Sequence, residues 1–463
     1  MAHDAMTAAD AVFLRIETLH EPQHVGSLSL FAGDALRNDT GAIDLDALRA
    51  HVGRRLDRVP RLRQRVMEVP FGQGRPVWVD DVGFDIEYHV RLTSLPRPGG
   101  NDQLLDLMSR VQAIALDRAR PLWEMWFVDG AADDRVGLII KTHHALGDGI
   151  ANVDLAMALV DLEPDPAPDV PADPWQPRSA TAPRDLLTAS MADQARRSFS
   201  IARAAADAVR DPRPLIGTAT SVVRTVRDFV VKPAPAPWNR DVGAQRRWVS
   251  ARVPLETVRT IREGHDATIN DVVLAACSGA LRRFLSERVD APPSLPASLK
   301  AMVPVSLRSD DEHGDTLGNR ISLILVDLPI SEPDPAVRLE RVHTQTSELK
   351  GSVMVDGAQT ILELADTIPR LAPMVTRFVS RQIPMNLVVT NVPGPPIPLY
   401  LRGAPLVETY PYVEVLDNEG LTIAVVSYAD TLFFGITGDR DVMHDIADLA
   451  TAIAVEFDEL AAS

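Results

Sequence analysis

Two adjacent histidines, His143 and His144, stand in the run Lys141-Thr142-His143-His144-Ala145-Leu146-Gly147-Asp148-Gly149. Imidazole has its ordinary pKa nearest neutrality. A histidine held at a cleft can therefore take the proton of a hydroxyl as its oxygen attacks a carbonyl, a role worth roughly 10²–10⁴ in rate. The apolar run Val136-Gly137-Leu138-Ile139-Ile140 before the pair reads as a buried strand, and Ile150 to Val160 after it has helical spacing. The histidines thus sit where a strand gives way to a turn, a place where a rigid scaffold can expose side chains to a cleft. Neighbouring strand side chains point to opposite faces, so one imidazole is expected to face the cleft and the other the body. Gly147 and Gly149 permit a tight turn around Asp148. The competing interpretation is a purely structural histidine pair, with Asp148 capping the next helix. A metal site is disfavoured, because adjacent strand histidines diverge and no Cys-rich segment accompanies them.

The segment His143 to Gly149 fits the pattern HHxxxDG and resembles the acyl-CoA-dependent acyltransferase superfamily shaped like chloramphenicol acetyltransferase. Further segments in order resemble one branch of it, the bacterial wax ester synthase/diacylglycerol acyltransferases. They are Pro121-Leu122-Trp123, Asn270-Asp271-Val272-Val273-Leu274-Ala275, Met302 to Arg308, Gly318-Asn319-Arg320 and Asn391-Val392-Pro393-Gly394-Pro395. The resemblance runs from the N-terminus to the last helix. It implies two halves, each a mixed sheet covered by helices in an α/β (α+β) fold, with a substrate tunnel between them.

The resemblance also assigns roles. His144 would be the general base, with His143 beside it. Direct attack on a thioester needs no acyl-enzyme, and aimed hydrogen-bond donors must stabilise the oxyanion. Asn270 is a candidate donor, with a helix-start role as the alternative, and Asp271 is a supporting residue. Pro121, Leu122 and Trp123 would pack near the tunnel, and Asn391 and Gly394 would line it. Asp148 and Gly149 would be structural, Asp148 pairing with Arg308 to clamp the halves. The implied activity is O-acylation of diacylglycerol or a long-chain alcohol, with acyl-CoA as co-substrate and no bound cofactor or metal. Alternatives are an acyltransferase or condensation enzyme with another hydroxyl or amine acceptor, and a non-catalytic lipid-binding scaffold. The aspartate-aromatic-glycine element of peptide-synthetase condensation domains is replaced here by Thr431-Leu432-Phe433-Phe434-Gly435.

Composition bounds these readings. At 463 residues the chain can hold two ordinary domains. A formal net charge of −17 argues against a nucleic-acid partner and requires any CoA phosphate site to be a local basic patch. The single cysteine, Cys277, rules out a disulfide framework and suits a reducing cytosol. It lies in an apolar helical run and is expected to be structural. No signal pattern or spanning run is visible, so the expected location is cytoplasmic, with peripheral contact to membrane or lipid droplets. GxSxG, GxxxxGK[ST] and GxGxxG are all absent from the sequence, which disfavours a serine esterase, an NTPase and a dinucleotide enzyme.

Three parts follow along the chain: residues 1–162 with the HHxxxDG motif, a Pro-rich linker and helical crossover over 163–239, and a second half over 240–463. Helices are expected over Ala8–Glu17, Leu45–Leu56, Leu104–Ala119, Thr268–Leu285, Ala336–Lys350, Ile361–Ser380 and Asp441–Leu460. Strands are expected over Val25–Phe31, Glu87–Leu92, Leu122–Val128, Arg247–Val253, Lys300–Val305, Ile321–Leu328 and Leu387–Thr390. A hairpin is expected from Thr422 to Thr437. The cluster Arg54, Arg55, Arg58, Arg61, Arg63 and Arg65 reads either as a solvated face balanced by acids or as a landing site for anionic groups. Arg184 to Val231 reads as helices packed on the protein, with lipid contact as the alternative.

Overall fold

The structure, a computed structural model, describes residues 4–147, 156–166, 175–179, 182–210, 232–288, 294–306, 321–349 and 384–463. The first half contains β1 (Asp4–Ala5), α1 (Ala8–Ile16), β2 (His24–Ala32), α2 (Leu45–Arg55), β3 (Gln64–Met67), β4 (Val77–Asp80), α3 (Ile86–His89), β5 (Val90–Ser94), α4 (Asn101–Ala113), β6 (Trp123–Asp129) and β7 (Arg135–His143). The long helix α5 (Pro183–Arg210) follows. The remainder contains β8 (Arg246–Pro254), α6 (Leu255–Gly264), α7 (Ile269–Glu287), β9 (Leu299–Ser306), β10 (Ile321–Leu328), α8 (Pro335–Leu349), β11 (Leu387–Val392), β12 (Tyr400–Leu401), β13 (Ala404–Val413), β14 (Leu421–Tyr428), β15 (Thr431–Asp439) and α9 (Ile446–Ala462). The helix expected over 361–380 and the segment Gly318–Arg320 lie outside the described residues, as does most of Ile150–Val160.

Two six-stranded mixed sheets organise the chain. The first runs β12-β13-β2-β7-β6-β5, and the second runs β10-β9-β11-β14-β15-β8. A small sheet, β1-β4-β3, stands beside the first. The first large sheet is not built from the first half alone. Residues 400–413, which the sequence reading places inside the second half, cross back as β12 and β13. There β13 pairs antiparallel with β2, from Leu406 opposite Phe31 to Val413 opposite Val25.

Each sheet is hydrophobic on the side that carries helices. Helices α7, α8 and α9 cover the second sheet over a core that includes Val272, Leu281, Val342, Ile423, Phe434 and Phe457. A separate cluster joins the halves: Leu28, Met108 and Ile139 from the first meet Trp248 and Phe433 from the second, with Tyr410 of the crossover strand between them. Polar contacts reinforce this seam. The Trp248 backbone N–H donates to Ser109 Oγ at 2.9 Å. Glu408 on β13 accepts from Arg135 of β7 at 2.9 Å, from Tyr410 at 2.7 Å, and also from Arg252 of β8.

Local chemistry corrects several element boundaries. Glu87 to Leu92 is not one strand: Asp85 caps the single turn α3, its side chain accepting from Glu87 N–H at 2.9 Å, and the strand starts at Val90. Helix α4 stops at Ala113 rather than Ala119. The buried ammonium of Lys141 donates to the carbonyls of Val111, at 2.9 Å, and Ile114, and so satisfies the orphaned carbonyls of that helix end. The arginine cluster is largely tied to neighbours. Arg55 is buried against Asp161, Arg63 pairs with Asp57, and Arg61 pairs with Asp4 at 2.7 Å.

Candidate active site

Both motif histidines lie at the end of the central strand pair of the first sheet. His143 is the last residue of β7 and stands opposite His24, the first residue of β2. His144 begins a 3-10 turn that runs to Leu146. The turn is pinned by backbone bonds on both sides. His143 N–H donates to the Leu122 carbonyl at 3.0 Å, and His144 N–H donates to the Gln23 carbonyl at 2.8 Å.

The two rings differ in burial, His143 ending the strand and His144 opening the turn. His143 is fully buried. Its Nδ1 accepts from Ala145 N–H at 3.0 Å, so in the neutral ring the proton sits on Nε2. That Nε2 faces Glu17 Oε1 at 3.4 Å, an electrostatic contact rather than an aligned hydrogen bond. His144 is half-buried. Its ring stacks on Phe13, with centroids 3.9 Å apart and planes 8° from parallel.

Glu17 is the charged centre of this cluster and was not anticipated. It is the residue that ends α1. Its side chain accepts from Gln23 N–H at 3.2 Å and from Arg118 Nε at 2.9 Å and Nη2 at 2.5 Å. Burial alone would push this carboxyl up, but contacts with His143 and Arg118 prevail and hold it down to about 2. Burial lowers His143, despite the opposing pull of Glu17, and burial lowers His24 well below its ordinary value. With both rings favoured neutral, Arg118 is the cation that keeps Glu17 ionised. One signal was legible in advance: a carboxylate at a helix C-terminus meets the negative end of the helix dipole, so it needs a partner elsewhere.

The other expected site residues fall into separate places. Pro121 and Leu122 are buried directly beside the histidines through the His143–Leu122 bond. Trp123 is core: it is 1% exposed, its indole N–H donates to the Leu62 carbonyl at 2.8 Å, and its ring stacks on His89 at 4.5 Å. Asp271 closes a capping box with Thr268 and also accepts from His343 Nδ1 at 2.9 Å and Thr346 Oγ1 at 2.6 Å, so it locks α7 to α8. Asn270 is half-buried in the first turn of α7. Asn391 lies on β11 in register with Val425. Gly394 follows that strand and presses on β14: a Cβ there would lie 2.1 Å from the Ser427 carbonyl oxygen. Asp148, Gly149 and Arg308 lie outside the described residues. Among the described residues, no group of three or more His, Cys, Asp or Glu side chains is arranged to hold a metal ion. Cys277 is buried, and burial pushes its thiol up to about 12, which suits a structural residue.

This arrangement, a half-buried imidazole on a strand-end turn with a buried carboxylate behind its neighbour, sits inside a region of matched sequence. Residues 6–273 match the wax ester synthase/diacylglycerol acyltransferase catalytic domain, and residues 317–461 match the C-terminal domain of the same family. The chain belongs to this family. A probable diacylglycerol O-acyltransferase of Mycobacterium tuberculosis strain H37Rv is 34% identical, over 97% of this chain and 94% of the relative. The solved wax ester synthase/diacylglycerol acyltransferase of Marinobacter aquaeolei VT8 is 26% identical, with a TM-score of 0.69 and 98% of each chain covered. The first condensation domain of the CDA synthetase shares the fold at 15% identity, with a TM-score of 0.58 over 100% of this chain and 97% of that one. Among the described residues of this acyltransferase, no helix is long and apolar enough to cross a membrane.

Proposed function

We propose that this chain transfers an acyl group from acyl-CoA to the hydroxyl of diacylglycerol, of a long-chain alcohol, or of both, with His144 as general base. The observation that carries the reading is the contrast between the two rings. His143 is sealed in the body against Glu17, while His144 is half-buried on the turn that follows. In the proposed step the His144 imidazole takes the hydroxyl proton as the oxygen attacks the thioester carbon. The tetrahedral oxyanion collapses, the carbon–sulfur bond breaks, and the imidazolium returns the proton to the CoA thiolate. An ester and free CoA result, with no net proton change and no acyl-enzyme.

Asn270 is proposed as a donor or positioning group for the oxyanion. Asp148 and Arg308 are proposed as the structural pair that holds the motif to the second half. The chain is proposed to meet its lipid substrates peripherally, at a membrane or lipid-droplet surface.

The test is a competition assay. One long-chain acyl-CoA is offered with diacylglycerol and a fatty alcohol together, and products are identified by mass spectrometry. Triacylglycerol, wax ester or both are expected. Amide products alone, or tight lipid binding without turnover over hours, would overturn the reading.

A further inference from the structure

The chemistry proposed for His144 depends on the ring being held in place, and the restraints on it converge on one helix. Helix α1 ends at Ile16, and the next residue, Glu17, donates its backbone N–H to the Phe13 carbonyl at 3.1 Å. Phe13 and Glu17 are four positions apart and thus share a face of the helix. Phe13 stacks on the His144 ring. Glu17 reaches the motif by two routes. Its Oε1 accepts from Gln23 N–H at 3.2 Å, and the Gln23 carbonyl in turn accepts from His144 N–H at 2.8 Å. The same Oε1 faces the protonated Nε2 of His143 at 3.4 Å, and the Nδ1 of that ring receives the Ala145 N–H, inside the turn that carries His144. Ring, backbone and turn are therefore all tied to a single helix end.

We infer that Glu17 is a positioning residue for the acyl transfer: its carboxylate restrains the orientation of the His143 ring and the Gln23 peptide, and through them the reacting imidazole of His144. This rests on the reading of His144 as base. Three features make the role specific rather than a general fold contact. The Glu17 side chain is 7% exposed, so its charge is not spent on solvent. The Arg118 that neutralises it is 41% exposed, so Arg118 stays hydrated when the carboxylate is removed. His24 does not share the role. Its Nδ1 lies 3.2 Å from the Gln112 carbonyl and its Nε2 accepts from Leu116 N–H at 3.4 Å, which leaves Nε2 without a proton to give Glu17. The other titratable groups acting on this corner are Lys141, next to His24, and Glu414, whose carboxyl is pushed up by burial and by Glu17.

The experiment uses the full chain with Glu17→Gln, an acyl-CoA of one chain length and its lipid acceptor, and reads kcat, both KM values and the melting midpoint. The amide keeps the volume and can still accept from Gln23, but it withdraws the charge from His143. A displacement of the base by about 1 Å can cost 10²-fold, so kcat is expected to fall about 10- to 100-fold while both KM values stay within about twofold and the protein melts cooperatively. If Glu17→Gln does not fold, Glu17→Asp carries the test. It keeps the charge, withdraws it by one methylene, and is expected to show the same loss confined to kcat. Wild-type kcat in the variant that folds, or a loss explained by its unfolded fraction, overturns the inference. His144→Ala measured alongside separates the two readings. An inactive His144→Ala with a fully active Glu17 variant overturns only the positioning role, whereas an active His144→Ala overturns the base itself.

Discussion

The imidazole of His144 lies flat on the ring of Phe13, with centroids 3.9 Å apart. An aromatic ring packed on one face of a base restricts its rotation and leaves its edge nitrogens to do chemistry. Such stacking is worth about 0.5–1.5 kcal/mol beyond the area it buries. Phe13→Leu, which keeps apolar volume but removes the flat ring, is therefore expected to lower kcat roughly two- to tenfold. Steady-state kinetics on the purified variant checks this. An unchanged kcat would show that the stack is incidental packing.

The same corner makes a pH prediction. Glu414 follows β13, and burial pushes its carboxyl up to about 8, with Glu17 adding to the rise and Arg246 opposing it. The folded state therefore holds a proton on Glu414 that the unfolded chain releases near the ordinary value of 4.5. A raised carboxyl contributes stability that is present at low pH and lost as pH rises through that window. Glu414→Gln cannot ionise, so its stability relative to wild type should improve between pH 5 and pH 8, by on the order of a few kcal/mol. Urea unfolding at the two pH values measures it. A constant gap between variant and wild type would refute the prediction.

Asp271 makes a contrasting case, in which the expected cost is to stability and not to chemistry. Its carboxylate serves Thr268 N–H at 2.9 Å, His343 and Thr346 together. Asp271→Ala removes one side of a capping box, worth about 1 kcal/mol, and takes the charged acceptor from the Thr346 hydroxyl, a bond worth about 1.5–3 kcal/mol, leaving it the His343 carbonyl at 3.1 Å. A loss of roughly 2–4 kcal/mol in unfolding free energy is expected, with activity per folded molecule retained. Loss of turnover in a protein of unchanged stability would place Asp271 in the reaction instead.

Gly279 in α7 shows how packing can reverse a propensity. Alanine in a helix is favoured over glycine by about 1 kcal/mol. Here a Cβ would lie 1.8 Å from Glu456 Oε2 and 2.5 Å from Arg338 Nη2, inside a buried ion pair that ties α8 to α9. Breaking such a pair costs about 3–5 kcal/mol, because each charge is left buried without its partner. Gly279→Ala should therefore destabilise by at least about 2 kcal/mol in denaturant unfolding. A stabilised variant would mean that the pair moves aside at no cost.

What the sequence made legible was local. The strand ending at His143, the Thr268-capped helix and the β14–β15 hairpin each carry their own periodicity and end signals. The expected alternation of the two histidines does not apply, because β7 ends at His143 and His144 belongs to the turn that follows. The crossover strand β13 did not show, because Leu406 to Val413 take their register from β2, some 380 residues earlier, as Ser29 and Thr409 illustrate. Helix α6 carries its signal in the spacing of Leu255, Val258 and Ile261, all buried. Glu17 escaped for a deeper reason. Its partners, Arg118 and His143, meet it only after α1, β7 and the segment after α4 have come together, and no spacing in the chain records that meeting.

The central claim is that His144 performs the proton transfer. The measurement that tests it most directly is the turnover of His144→Ala against His143→Ala, each assayed with acyl-CoA and a hydroxyl lipid and each checked for cooperative unfolding. His144→Ala should fold like wild type and lose about 10²–10⁴ in kcat. His143→Ala should lose activity through the disturbed turn and reduced stability, and to a smaller extent wherever it stays folded. A folded His144→Ala that keeps more than about a tenth of wild-type turnover would contradict the account, since a general base contributes at least about 10²-fold.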